Sequence, residues 1–249
     1  MNRWIGRADG DGRALVLVHG AGGNHTVWAK VFGALRKAGV PTMALDLPGH
    51  GASSGPPRGS VGECADAVER IVAEAGIRRY AVAGHSLGGA IALTLAARGA
   101  QGLLGLGAVS TGARLPVDPK ILEGVRSNFS CTVENLCRFV FAKGTERKRI
   151  EEAAEMMAAA GPEAVYADFA ACASYGLTVE ELGAIRVPAE IVCGDSDVLS
   201  PVALSEELAA GIPGARLTLL PGCGHMPLLE APEELAGALA ELWRRAGDT

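Results

Sequence analysis

Continuous apolar runs, each stopping at a glycine or a polar residue, constrain this chain more than any other feature. They are "ALVLVHG" (14–20), "PTMALDLPG" (41–49), "YAVAGHS" (80–86), "LLGLGAVS" (103–110), "AEIVCGDSD" (189–197) and "ARLTLLPGCGH" (215–225). A strand buried on both faces reads as an uninterrupted apolar run, whereas a strand with one wet face alternates. Between the runs lie stretches of helical character at 28–38, 61–75, 87–97, 204–210 and 232–245. The alternation predicts an α/β fold, a mostly parallel, doubly wound sheet with helices on both faces. A chain of 249 residues fits one such domain carrying an insertion.

Residues 115–182 break the rhythm. They read as helices only, for example over 146–160 and 163–173, and no strand returns before Ala189. The expected division is a core at 1–114 and 183–249 with a helical insertion at 115–182 lying over one edge of the sheet. Most of the chain's Phe and Tyr fall in the insertion. Phe129, Phe139, Phe141, Tyr166, Phe169 and Tyr175, with Met156, Met157 and Cys172, are expected either to pack it onto the core or to line an apolar pocket.

Composition excludes several functions. A hydrophobic fraction of 49% and a charged fraction of 20% describe a globular chain with ample core, and the net charge of -5 repels phosphate backbones and anionic membranes. The one basic cluster is the short "ERKR" (146–149), so no nucleic-acid partner is expected. No apolar run approaches the roughly 20 residues of a membrane helix, and the first residues lack an apolar signal region; no membrane association and a cytoplasmic location are expected. The six cysteines form no CxxC pair, which predicts free, buried thiols. The five histidines form no H-x-x-x-H pair, and neither "HGAGGN" nor "GHSLGG" completes a nucleotide-binding pattern, so neither metal nor cofactor is expected.

The chemistry concentrates at "AVAGHSLGGAIAL" (81–93). Gly84, Ser86 and Gly88 spell G-x-S-x-G after a predicted strand and before a predicted helix, the context in which that motif acts as a nucleophile elbow. The competing reading is a helix N-cap serine in a glycine-rich turn. A serine hydroxyl is a weak nucleophile and needs a histidine oriented by a carboxylate. "CGDSDVLSP" (193–201) offers Asp197 just past a strand, and "PGCGHMPLLEAPEEL" (221–235) offers His225 in a glycine-rich loop before the last helix. Small residues in "VHGAGGNHTVW" (18–28) let backbone amides approach a developing oxyanion. One donor is assigned to the Ala21 amide, with Gly22 as the alternative, and the other to the Leu87 amide.

In chain order, "HGAGG" (19–23), "DLPGHGASS" (46–54), "GHSLGG" (84–89), "GDSD" (194–197) and "GCGHMPLLEAPEEL" (222–235) resemble the α/β-hydrolase superfamily along nearly the whole chain. Within it the chain is similar to small carboxylesterases, enol-lactonases and carbon-carbon bond hydrolases with a helical cap before the acid-bearing strand. The resemblance implies cofactor-free acyl hydrolysis by Ser86, Asp197 and His225. In the family pattern the carboxylate follows the strand-end glycine by three positions, which selects Asp197 over Asp195. The expected function is a serine hydrolase cleaving small-molecule carboxylic esters of small or medium acyl chains. A carbon-carbon hydrolase, lactonase, thioesterase or perhydrolase uses the same residues, and a hydrolase-fold ligand receptor is the rival of another class. His19 is expected to brace the oxyanion loop, His85 to pack beside the elbow, and His50 and Asp46 to build turns. His25 is expected in solvent or against substrate, and Trp28 in the core or the pocket wall.

Overall fold

The computed structural model describes residues 3–247. Its strands are β1 (Arg3–Gly6), β2 (Arg13–Val18), β3 (Thr42–Asp46), β4 (Arg79–His85), β5 (Leu103–Val109), β6 (Ala189–Gly194) and β7 (Arg216–Leu220), in one seven-stranded sheet of order β1-β3-β2-β4-β5-β6-β7. All neighbouring pairs are parallel except β1 with β3. β1 is absent from the strands expected from apolar runs. It is only four residues long, flanked by charge and largely exposed, and its pairing to β3 rather than its own pattern makes it a strand.

The helices are α1 (Ala29–Lys37), α2 (Val61–Glu74), α3 (Leu87–Ala97), α4 (Pro119–Ser127), α5 (Phe129–Phe139), α6 (Arg147–Ala173), α7 (Val179–Gly183), α8 (Val202–Gly211), α9 (Pro227–Glu230) and α10 (Pro232–Gly247). The uninterrupted apolar strands now have their explanation. Successive side chains point to opposite faces, and both faces are covered. Ala14, Val16 and Val18 of β2 join Val68 and Ile71 of α2 and Ile91 of α3 in one core cluster. Leu15 and Leu17 join Val31 and Leu35 of α1 and Leu239 and Leu242 of α10 in the other.

The helices α4–α7 fill the chain between β5 and β6. The chain leaves and returns side by side, through an isolated bridge between Arg114 and Gly176 and a bond from the Leu177 amide to the Ala113 carbonyl of 2.8 Å. Within this segment α4, α5 and α6 pack on one another, whereas α7 packs against α8 and buries Leu182 in the main core. The two helices expected over 146–160 and 163–173 form α6, kinked where Gly161 takes a left-handed φ of 83° before Pro162. Proline removes a helix donor and restricts the residue before it, which accounts for the break. No helix among the described residues is long and apolar enough to cross a membrane.

Two glycines separate space from strain. A Cβ on Gly84 would lie on the backbone of Gly88, while one on exposed Gly237 within α10 would meet nothing within 4 Å. Gly84→Ala is expected to cost about 3 kcal/mol or more, and Gly237→Ala to add about 0.5–1 kcal/mol through helix propensity. Urea unfolding of the two variants checks this; equal effects contradict the packing described.

Candidate active site

Ser86 is the single residue between β4 and α3, with φ 53° and ψ -115°. Such a conformation is rare for a residue with a side chain and persists only where its surroundings hold it. Here the Ser86 amide donates to the Val109 carbonyl at 2.9 Å, and the Ser86 carbonyl accepts from Thr111 Oγ1 at 2.9 Å and the Ala90 amide at 3.0 Å. Strand and helix then cross so closely that Gly84 and Gly88 meet backbone to backbone. A Cβ on Gly88 would strike the carbonyls of Val18 and His19. Glycine at both positions is the condition for Ser86 to stand at the top of the sheet.

Asp197 follows β6 and is buried. Its Oδ1 accepts from the Leu199 amide at 2.9 Å and the Ser200 amide at 2.8 Å, and its Oδ2 meets His225 Nδ1 at 2.8 Å. Burial pushes its pKa up, but the charge and hydrogen bond of His225, helped by the two amides, outweigh burial and lower it overall. Because an ionised carboxylate can only accept, the proton on this side belongs to Nδ1, which leaves Nε2 as the free ring nitrogen. Asp195, the competing carboxylate, turns away. Its Oδ1 accepts from the Gly222 amide at 2.8 Å and Ser196 Oγ at 3.0 Å, tying the turns after β6 and β7 together.

The histidine loop is held by residues that sequence reasoning missed. The His225 amide donates to the Val140 carbonyl at 2.8 Å. Glu230 Oε2 accepts from the amides of Gly224 and Met226, each at 3.1 Å, and its Oε1 from the Ala142 amide at 2.8 Å. His85 Nε2 donates to the His225 carbonyl at 2.7 Å, and the two rings lie 4.9 Å apart. Burial, reinforced by the charge of His225, lowers the His85 pKa to about 3.

The loop after β2 comes up beside Ser86. The Leu47 amide donates to His19 Nε2 at 3.1 Å, so the His19 proton sits on Nδ1, which donates to the Gly20 carbonyl at 2.8 Å. Burial and the neighbouring His50 lower the His19 pKa to about 4, keeping this brace neutral. The Gly22 amide donates to Asp168 Oδ2 of α6 at 2.8 Å, and Ala21 and Gly22 both border the cavity beside Ser86. Leu87 opens α3, where first-turn amides have no partner within the helix. Asp46 anchors the neighbouring turns as expected, and it captures His25. Its Oδ1 accepts from the His25 amide at 2.7 Å and Nδ1 at 2.8 Å, its Oδ2 from the Ala52 amide at 3.0 Å. Trp28 lies wholly in the core.

Ser86 and His225 line one largely apolar cavity of about 280 Å³, closed on the far side by α4, α5 and α6. No hydrogen bond among the described residues joins their side chains. Of the insertion residues expected at a pocket, Met156, Met157, Phe169 and Cys172 line it. The others do not: Phe139 is 61% exposed, Phe129 is half-buried away from it, Phe141 is buried elsewhere, Tyr175 packs half-buried against the main core, and Tyr166 lies under the Arg126 guanidinium at 3.9 Å. Aliphatic side chains such as Ile121 and Leu136 take their place. All six cysteines are free, with Cys131 exposed rather than buried. Among the described residues no group of three or more His, Cys, Asp or Glu side chains could hold a metal ion.

A family model for the alpha/beta hydrolase family matches residues 15–238. The chain belongs to that family. A pimeloyl-[acyl-carrier protein] methyl ester esterase from Aromatoleum aromaticum is 31% identical to this hydrolase, over 92% of this chain and 98% of its own. A thermophilic esterase from Thermogutta terrifontis superposes with a TM-score of 0.86 at 25% identity, covering 99% of this hydrolase and 93% of the esterase. The enol-lactonase from Burkholderia xenovorans LB400 shares the fold, with a TM-score of 0.88 at 22% identity over 98% and 96% of the two chains.

The buried neutral histidines set a pH dependence. His19 and His85 have folded pKa values near 4 and 3, below the ordinary 6.5. Their contribution to stability is therefore complete above pH 6.5 and is lost as the pH falls toward those values. Between pH 6 and 5 these two rings give the unfolded chain about 1.5 to 1.8 more bound protons than the folded hydrolase, a slope of roughly 2–2.5 kcal/mol per pH unit. Urea titrations across that interval measure the slope, and a flat result contradicts neutral burial of both rings.

Proposed function

We propose that the protein hydrolyses carboxylic esters of small or medium acyl chains through an acyl-enzyme on Ser86. The observation that carries this reading is the strained Ser86 beside a cavity shared with His225, whose Nδ1 is engaged by Asp197 at 2.8 Å. In the proposed cycle Ser86 Oγ attacks the ester carbonyl carbon as His225 Nε2 takes its proton. The resulting oxyanion is stabilised by the Ala21 and Leu87 amides, and by the positive end of α3. Ala21 is preferred to Gly22 because the Gly22 amide is already taken up by Asp168. As the tetrahedral intermediate collapses, the carbon-oxygen bond to the alcohol breaks and His225 returns the proton to the departing oxygen. Water, deprotonated by the same nitrogen, attacks the acyl-enzyme, the acid leaves, and Ser86 regains its proton. Asp197 holds the ring in the required tautomer and stabilises the imidazolium.

Helices α4–α6 serve in this reading as a cap that excludes water and limits substrate size. The apolar lining suits an acyl chain, and about 280 Å³ lies at the lower edge of the roughly 300–1,000 Å³ typical of ligand pockets. The esterase relatives support the ester as substrate class.

Hydrolysis of p-nitrophenyl esters tests the assignment. Ser86→Ala is expected to abolish turnover in a folded protein, and Asp197→Asn to lower kcat by about 10⁴. Asp195→Asn should fall by no more than a few-fold; the reverse ranking overturns the choice of acid. For the cap, Ile121→Trp should shorten the longest acyl chain accepted, and emulsified long-chain triglyceride should be a poor substrate. An unchanged chain-length profile contradicts the cap.

A further inference from the structure

The proposed cycle leaves one buried charge cluster without a role. Asp168 projects from α6 and is 1% exposed, yet its Oδ2 reaches across to the core and accepts from both the Gly22 amide at 2.8 Å and His50 Nε2 at 2.9 Å. The other nitrogen of His50, Nδ1, faces the Pro48 carbonyl at 3.1 Å. A carbonyl and a carboxylate both accept, so both ring nitrogens donate and His50 carries a proton. Burial alone would lower its pKa, but the hydrogen bond and charge of Asp168 raise it. A buried ion pair is a poor device for stability, because desolvation consumes most of the attraction. The groups it holds in place point to another use.

What it holds is the oxyanion loop. Gly22 has a left-handed φ of 64°, and a Cβ there would meet Met157 Cγ at 2.7 Å, so α6 closes on this residue from outside. Ala21 and Gly22 both border the cavity, but with the Gly22 amide drawn to Asp168 it is the Ala21 amide that no hydrogen bond among the described residues takes up. We infer that Asp168 is a positioning residue, by which the helical insertion orients the loop that stabilises the oxyanion, with His50 fixing the carboxylate in turn. This rests on the hydrolase cycle proposed above. Its consequence is specific: loss of Asp168 weakens binding of the tetrahedral oxyanion without weakening binding of the ground state.

The test compares two inhibitors of one carbon skeleton, a trifluoromethyl ketone that forms a tetrahedral oxyanion adduct on the nucleophile and the corresponding alcohol that does not. In Asp168→Ala and the closely sized Asp168→Leu, Ki for the ketone is expected to rise about tenfold or more, kcat to fall similarly, and KM and the alcohol Ki to stay within about twofold. Asp168→Asn keeps an oxygen that can accept from Gly22 and should restore ketone binding to within about threefold. An unchanged ketone Ki overturns the inference, as does an equal loss for both ligands or an Asn variant as impaired as Leu. Should neither removal variant fold, amide exchange in the unaltered protein decides. A protected Gly22 amide is expected, and exchange at the free-peptide rate overturns the inference. Ester turnover by the unaltered protein and its loss in Ser86→Ala are measured alongside. Absence of turnover sinks the hydrolase cycle and this inference with it, whereas normal turnover with indifferent Asp168 variants sinks only the inference.

Discussion

The site depends on one crossing, where β4 runs into α3 and Gly84 lies against Gly88 with no room for a side chain. That contact turns the chain so sharply that Ser86 takes a positive φ, and hydrogen bonds to the Val109 carbonyl and from the Thr111 hydroxyl, at the end of β5 and just beyond it, hold it there. The strain is affordable because α3 is buried along almost its whole length, and a sheet covered on both faces over-determines the turn. Everything else needed near Ser86 follows from parallel strands. Their carboxyl ends lie together, so the loops after β2, β4, β6 and β7 converge although they are far apart in sequence.

The helical insertion is fastened to that convergence at several points rather than resting on it. Val140 and Ala142 bond to the histidine loop and to Glu230, Arg149 Nη1 donates to the Leu229 carbonyl at 3.1 Å, and Asp168 holds Gly22. These contacts reach both sides of the cavity. A segment bound in this way can set the alignment of the loops as well as the size of the pocket, which is why its polar residues matter alongside its apolar ones.

The central strands, the elbow and the Asp197–His225 pair were legible in the sequence because each is local. An apolar run ending in glycine, a G-x-S-x-G between strand and helix, and a carboxylate past a strand end carry their meaning within a few residues. What was not legible depends on partners distant in the chain. β1 exists through pairing with β3, and Asp168 has an ordinary helical context until the fold brings it to Gly22, 146 positions away. Glu230 lies within the 222–235 motif, but its bonds to Gly224, Met226 and Ala142 emerge only when α9 folds back. Aromatic content misdirected the pocket reading. Phe139 faces solvent and Tyr166 stacks with Arg126, because which face of each helix between β5 and β6 turns inward is decided by packing among α4, α5 and α6.

In the proposed cycle the strained Ser86 is the nucleophile. Exposure of the protein to a fluorophosphonate ester, followed by peptide mapping of the phosphonylated chain, tests it most directly. One adduct per chain is expected, on Ser86, formed in step with loss of esterase activity. An adduct on another residue, or full activity retained after complete phosphonylation of Ser86, would contradict it.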